Sequence, residues 1–245
     1  MEKPKKIDKA NQNEEIQKNF SNKKISLKFL LKMILIILLL LIIIIIGRKA
    51  FVIKDLQNKI SEFTDKTNYS ISVNSYYGDR LSYTEYLIKD ENTYLYTTGL
   101  VNEENNHKRI IFSNKEKTNE YIQTNESKIA MLNSDTSAKI EIPNYIKTDN
   151  AKDFILLLFK AKITSVKCNG KECYEIKNIE NPDLVYTENG YATVYIDKET
   201  GLIERTIDRN AKNEEKDRVT DYNYEFDNVT DEDIKEPDIS EYEVK

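Results

Sequence analysis

Histidine and cysteine are nearly absent from this chain, with one of the first and two of the second in 245 residues. A metal cage of three imidazoles is therefore excluded, as is a zinc site of four thiolates. Catalysis through an imidazole would rest on His107 alone, which sits among Asn105, Asn106, Lys108 and Arg109 at the end of a loop and reads as a solvated residue. Glycine (6) and proline (4) are also scarce, which rules out collagen-like and Pro/Gly linker chemistry and leaves no Gly-rich phosphate loop. No nucleophile–base set is recognisable in the sequence. The chain is read as a non-enzyme that needs no metal and no cofactor.

Long hydrophobic runs are absent too, with one exception. Residues 33–46 carry no polar side chain, and thirteen of those fourteen are Ile or Leu. The run extends back to Phe29, giving eighteen residues interrupted by Lys32. About 20 apolar residues cross a hydrocarbon core of about 30 Å, and the long side chain of Lys32, close to one end, can reach the headgroups. No small-x-small cleavage pattern follows Ile46, where the chain reads Gly47, Arg48, Lys49, Ala50, Phe51. No cysteine stands there to carry a lipid. An uncleaved, single-pass signal anchor over 29–47 is the expectation.

Charge is distributed unequally about this run. Residues 1–32 hold nine lysines against Glu2, Asp8, Glu14 and Glu15, a balance of +5, while the whole chain is −5. The remainder therefore carries −10. The positive-inside rule puts the basic tail, 1–28, in the cytoplasm and residues 48 onward outside the cell membrane. A negative outward region without basic clusters disfavours nucleic acid as a partner.

Beyond the run, 48–67 has the apolar spacing of an amphipathic helix, with Phe51, Val52, Leu56, Ile60 and Phe63 along it. From Tyr69 the period becomes two. Strands are predicted at 69–77, 81–89, 93–98, 108–113, 119–124, 128–132, 163–168, 173–179, 191–197, 202–208 and 219–226, with exposed loop tips near 105–106 and 212–216. The sixteen tyrosines suit half-buried strands. A helix capped by Asp149 or Asn150 interrupts them and runs to about Lys162. Six successive apolar residues, 154–159, mean that both its faces are covered or that one awaits a ligand. The fold class expected for 48–230 is α+β, mostly antiparallel: a curved sheet of about eleven strands with two helices, since a sheet of that size curls rather than staying flat. The acidic stretch 231–245 reads as a strap or a solvated tail, and its Asp231 and Asp233 lack the spacing of a calcium loop.

Cys168 and Cys173 flank a hairpin turn. With a two-residue turn at Gly170-Lys171, glycine first, type II′ geometry would set the two cysteines directly opposite each other. A cross-strand disulfide is expected, worth about 2 kcal/mol for so short a loop, in keeping with an oxidising compartment.

The order of elements in the second half resembles a known superfamily. An apolar helix is followed by the hairpin Gly170-Lys171-Glu172-Cys173-Tyr174-Glu175-Ile176. Then comes Tyr195-Ile196-Asp197-Lys198-Glu199-Thr200-Gly201-Leu202-Ile203-Glu204-Arg205. A last strand, Tyr222-Asn223-Tyr224-Glu225-Phe226, precedes an acidic tail with Pro237. This is similar to the LolA/LppX-like lipoprotein carriers, a superfamily that includes RseB-like envelope-stress sensors. The resemblance implies a half-open antiparallel barrel of about eleven strands whose concave face is plugged by helices. It also implies a cavity for an acyl chain or a lipidated partner, although shuttling between membranes does not suit a tethered chain. On that reading Phe154, Leu157, Leu158 and Phe159 line the ligand site and their helix is its lid. The alternative function is an envelope sensor or scaffold that signals through the outward domain and the basic tail. The Lys/Ile/Asn-rich usage suits an AT-rich bacterial genome.

Overall fold

A computed structural model describes residues 27–78, 80–90, 92–101, 106–136, 142–179, 192–208 and 217–245. The basic tail through residue 26, most of the predicted loop tip before residue 106, the tip at 212–216 and Tyr191 lie outside them. The chain divides into two compact units, 1–48 and 49–245.

In the first unit the described residues are all helical. They begin α1, Leu27–Thr64, a 38-residue helix. Its Leu and Ile side chains through Ile45 are exposed. Among the described residues this is the one helix long and apolar enough to cross a membrane.

The second unit is built on a twelve-stranded sheet. Its strands are β1 (Tyr69–Tyr77), β2 (Arg80–Ile88), β3 (Tyr94–Val101), β4 (His107–Ser113), β5 (Thr118–Gln123), β6 (Lys128–Met131), β7 (Lys162–Cys168), β8 (Lys171–Ile179), β9 (Ala192–Asp197), β10 (Ile203–Asp208), β11 (Arg218–Phe226) and β12 (Glu243–Val244). Helix α2 (Ala151–Lys160) falls between β6 and β7. The spatial order is β12-β6-β5-β4-β3-β2-β1-β11-β10-β9-β8-β7. Two antiparallel meanders, β1–β6 and β7–β11, thus join side by side through β1 and β11, which pair over their full nine residues. The sheet is open, with β12 and β7 at its edges. Register shifts between Ile176 and Ile179 and between Ile203 and Arg205 are bulges of the kind that bend a sheet and increase its twist.

This order dictates what covers the sheet. β6 lies near one edge and β7 forms the other, so the chain between them must cross the sheet. That connection carries Ile142, Tyr145, Ile146 and α2 over one face. They share it with the part of α1 in this unit. Val52, Leu56, Ile60 and Phe63, at steps of four, four and three, form the stripe that a 3.6-residue period buries. Leu56 packs with Ile146, Ile176, Val194, Ile196 and Ile203. Ile60 packs with Tyr69, Ile71, Ile88, Ile142 and Leu202. Down β11 the rings of Tyr222, Tyr224 and Phe226 stack in sequence on this face, and Phe63 lies against Phe226 at 4.7 Å.

The eleven predicted strands are present, with the ends of some shifted by one to three residues. Of the two forms expected for 231–245 the strap is the one found, and two other expectations are corrected. The segment 231–245 is a folded strap: Ile234 and Tyr242 pack with Val229 against Phe112, Tyr121 and Ala130. The strap forms a 3-10 turn, Ile239–Glu241, then adds β12, parallel to β6. Its sequence concealed this because two strand residues and three apolar side chains make no period. The helix expected to reach Lys162 stops at Lys160, where Ala161 becomes extended and its N–H bonds Leu157 O.

The second correction concerns the cysteine hairpin. Its turn is Asn169-Gly170, with φ of 48° and 82°, so Cys168 pairs with Lys171 and Val166 with Cys173. Positive φ at both central residues is the type I′ geometry for which Asn-Gly is the favoured dipeptide. The cysteines are therefore diagonal neighbours on one face and not directly opposed. Their Cα atoms lie 5.9 Å apart and they form a disulfide, a separation typical of such bonds.

Candidate ligand-binding face

Helix α2 is defined at both ends by local chemistry. Asn150 is extended, and its Oδ1 accepts from the Asp153 N–H at 3.0 Å. Its own Nδ2 donates to Asp153 Oδ2 at 2.7 Å. This reciprocal cap satisfies donors that a helix start leaves unpaired. At the other end Lys49 Nζ donates to Leu158 O at 3.1 Å and to Ala161 O at 2.7 Å. A cation at a helix C-terminus meets the negative end of its dipole. One turn beyond Ile53, Gln57 Nε2 donates to Ile146 O at 2.6 Å and to Thr148 Oγ1 at 3.3 Å. Two polar side chains of α1 thus hold the segment entering α2 and the last turn leaving it.

The four predicted lining residues separate by helical position. Phe154, Leu157, Leu158 and Ala161 recur at three, four and seven residues and share the inward face. Leu158 is 6% exposed and Ala161 fully buried. Leu157 packs on the cluster of Ile176, Val194 and Ile196, and Phe154 is half-buried. Phe159 is elsewhere. It shares the outward face with Ile155 and Leu156, and these three are 67%, 51% and 43% exposed. One face of α2 is covered by the sheet, and the other is apolar and bare.

The sheet beneath also carries polar groups. Ser75 and Thr220 share a hydrogen bond of 3.0 Å in the interior. Beside them Asp208 is buried, and among the described residues neither its Oδ1 nor the enclosed hydroxyl of Tyr224 has a hydrogen-bond partner. Burial raises the Asp208 pKa, against the pull of Arg218. Burial also pushes the Tyr222 and Tyr224 hydroxyls well up, with Tyr145 adding to the shift at both. Tyr86 on β2 is pushed up to about 12, chiefly by burial and then by its neighbour Tyr96. Over the described residues, the apolar floor is filled by the chain's own Leu56, Ile146 and Leu157, so a ligand reaching it must displace α2 or the strand-to-helix segment.

His107 is exposed at the start of β4. It lines an open polar groove of ≈ 750 Å³ with Asn125, Lys128 and Glu241 among others. No group of three potential metal ligands occurs among the described residues. Asp231 is ion-paired with Lys89, and Asp233 accepts from the N–H and hydroxyl of Thr230.

The Asp197–Leu202 turn has a structural task. Asp197 Oδ1 accepts from the Glu199 N–H at 2.8 Å, and Asp197 O from the Gly201 N–H at 2.9 Å. A Cβ on Gly201 would lie 2.8 Å from Leu56 O and 3.0 Å from Ile60 N. Lys59 Nζ donates to Lys198 O at 2.6 Å. The turn is the seat on which α1 rests. Lys49 and Gln57 are contacts of α2 and of the segment entering it that no sequence motif marks. Their signal was two polar residues on the stripe that also holds Ile53, Leu56 and Ile60.

No protein-family profile matches the sequence, and no curated protein does. Solved structures do. MucB from Pseudomonas aeruginosa, crystallised with MucA, is 10% identical with a TM-score of 0.36, covering 75% of this chain and 60% of that one. A putative outer membrane lipoprotein-sorting protein domain from Vibrio parahaemolyticus is 11% identical with a TM-score of 0.31, covering 74% of this chain and 94% of that one. A LolA superfamily protein from Nitrosomonas europaea is 8% identical with a TM-score of 0.24, covering 75% and 97%. The chain spans about 60% of the length of the MucB chain it matches. At these scores the likeness lends no weight to any function. The architecture itself is an open, mostly antiparallel sheet interrupted by two bulges, with helices lying over one face.

Proposed function

We propose that this is a membrane-anchored, non-catalytic binding protein. Residues 29–47 span the cell membrane, the basic tail 1–28 is cytoplasmic and the sheet domain lies outside. That domain holds a lipid, an acyl chain or a lipidated protein between α2 and the sheet. The observation that carries this reading is the two-sided apolar character of α2, whose inward face sits on the sheet's apolar floor while Ile155, Leu156 and Phe159 remain bare. A helix needed only for packing has a polar outer face. The anchor reading is supported by the length of the apolar run, and its orientation by the lysine bias of the tail. The disulfide suits an oxidising, extracytoplasmic compartment.

In this reading α2 is the lid. Phe154, Leu157 and Leu158 line the closed site, Phe159 lies at its rim, and opening exchanges the packing of Leu157 on Ile176 and Val194 for contacts with an acyl chain. The test is photolabelling of the full-length protein in vesicles that contain a lipid with a photoreactive acyl chain. Adducts are expected on the peptide 151–161 and on β8 or β9, and stoichiometric unlabelled lipid should compete them away. Labelling confined to 27–46 contradicts the binding role.

A further inference from the structure

We propose that the outward face of α2 is a second membrane contact. Ile155, Leu156 and Phe159 lie in the headgroup region of the leaflet from which the anchor emerges. This rests on the anchor reading above and goes beyond it by naming what covers the bare face.

Three observations converge on a lipid surface. The first is shape and composition. Single exposed apolar residues are ordinary, but three on one face of a ten-residue helix make a patch. An apolar face edged by lysines is the pattern of helices that lie in a membrane interface.

The second is position along the chain. Lys49, which binds the last turn of α2 through two carbonyls, is three residues after Ile46, the end of the apolar run. Three residues span at most about 11 Å even when fully extended. The headgroup layer is itself about 5–8 Å deep on each side. Lys49, the residue that holds the last turn of α2, is therefore within about 11 Å of backbone from the end of the apolar run.

The third is charge. Residues 147–162 hold four lysines against Asp149 and Asp153, a local excess of +2 within a region that carries −10 after residue 32. Lys152 lies on the outward face one turn before Ile155, and Lys162 follows just beyond the helix. Anionic headgroups attract basic residues near the surface, whereas the rest of the domain is repelled by them. A helix seated this way touches the sheet with one face and the bilayer with the other. A lipid leaving the leaflet would then reach the floor of the site without crossing water.

The chain contains no tryptophan, so a single one introduced by substitution reports its own surroundings. Three full-length variants, Phe159→Trp, Leu35→Trp and Leu132→Trp, are reconstituted in vesicles of phosphatidylcholine and phosphatidylglycerol with brominated acyl chains. Leu132, at the end of β6 toward the opposite edge, reports the water-facing domain. Phe159→Trp is expected to shift its emission to the blue. It should lose intensity to lipids brominated near the headgroup more than to lipids brominated near the chain end. Leu35→Trp should show the reverse order, and Leu132→Trp no loss.

Unquenched Phe159→Trp beside quenched Leu35→Trp overturns the membrane contact and leaves the anchor standing; the patch then faces a protein or a second copy of the chain. If Leu35→Trp is also unquenched, the anchor reading falls and this inference falls with it. Quenching of Phe159→Trp that saturates at one brominated lipid per chain places the residue in a lipid-binding site and overturns immersion in the interface.

Discussion

Gly201 shows how much one residue can settle. It must accept φ of +75°, a region that costs most L-residues about 1–2 kcal/mol. It must also let the backbone of α1 approach. Gly170 has a similar φ but open space around it. Gly201→Ala should therefore lower stability by more than about 2 kcal/mol, and Gly170→Ala by about 1 kcal/mol. Denaturant melts of the two variants check this, and equal losses would mean that α1 does not rest on the turn. The turn itself was legible from Asp197 and Gly201, while its role as a seat for a helix 140 residues earlier in the chain was not, because nothing in a turn motif names what lies above it. At Asn169-Gly170 the local signal was present and was assigned one residue late. The dipeptide's preference for positive φ at both positions fixes the register, and with it the diagonal placement of the two cysteines.

Elements were legible where a period repeats. β1 and β11, nine residues each, alternate cleanly, and α2 announced itself by its cap and its apolar run. The strap did not, because three apolar residues and one carboxylate hold it. Glu236 receives Lys117 Nζ at 2.5 Å, the Tyr121 hydroxyl at 2.6 Å and the amide of Asn119. Burial alone would raise its pKa, but these three donors together hold it below the usual carboxylate value. A lowered folded pKa contributes stability that is present above the unfolded pKa and lost as pH falls through the folded one. Glu236→Gln should cost about 2 kcal/mol at neutral pH. The gap between variant and parent should close on acidification below the ordinary glutamate range. A gap that persists in acid would show that the carboxylate's charge is not what binds the strap. For α2 the two faces predict opposite outcomes. Leu158→Ala should destabilise by about 2–5 kcal/mol, as buried leucines do, whereas Ile155→Ala should stay within about 0.5 kcal/mol. Comparable losses from both would mean that the outward face is already covered by protein.

At the scale of the whole molecule, the two meanders meet at β1 and β11, and their outer ends leave the link from β6 to β7 with a sheet to cross. No single segment of sequence encodes that crossing. It follows from the strand order, and strand order is decided by pairings between residues such as Ile71 and Tyr224 that lie far apart in the chain. The apolar run and the strand-rich region after it were readable because hydropathy patterns repeat over tens of residues. Which way the four proposed lining residues face was not readable. Phe154, Leu157 and Leu158 fall on the sheet side of α2 and Phe159 does not, a separation that depends on which helical face the crossing presents. The central claim is that the domain retains a lipid or acyl chain beneath α2. Native mass spectrometry of the full-length protein released gently from membranes tests it most directly. A population one lipid mass heavier than the chain is expected, with the extra mass extractable into organic solvent and lost in Leu157→Asp while that variant still melts cooperatively. A bare chain mass that stays bare after incubation with membrane lipids would contradict it.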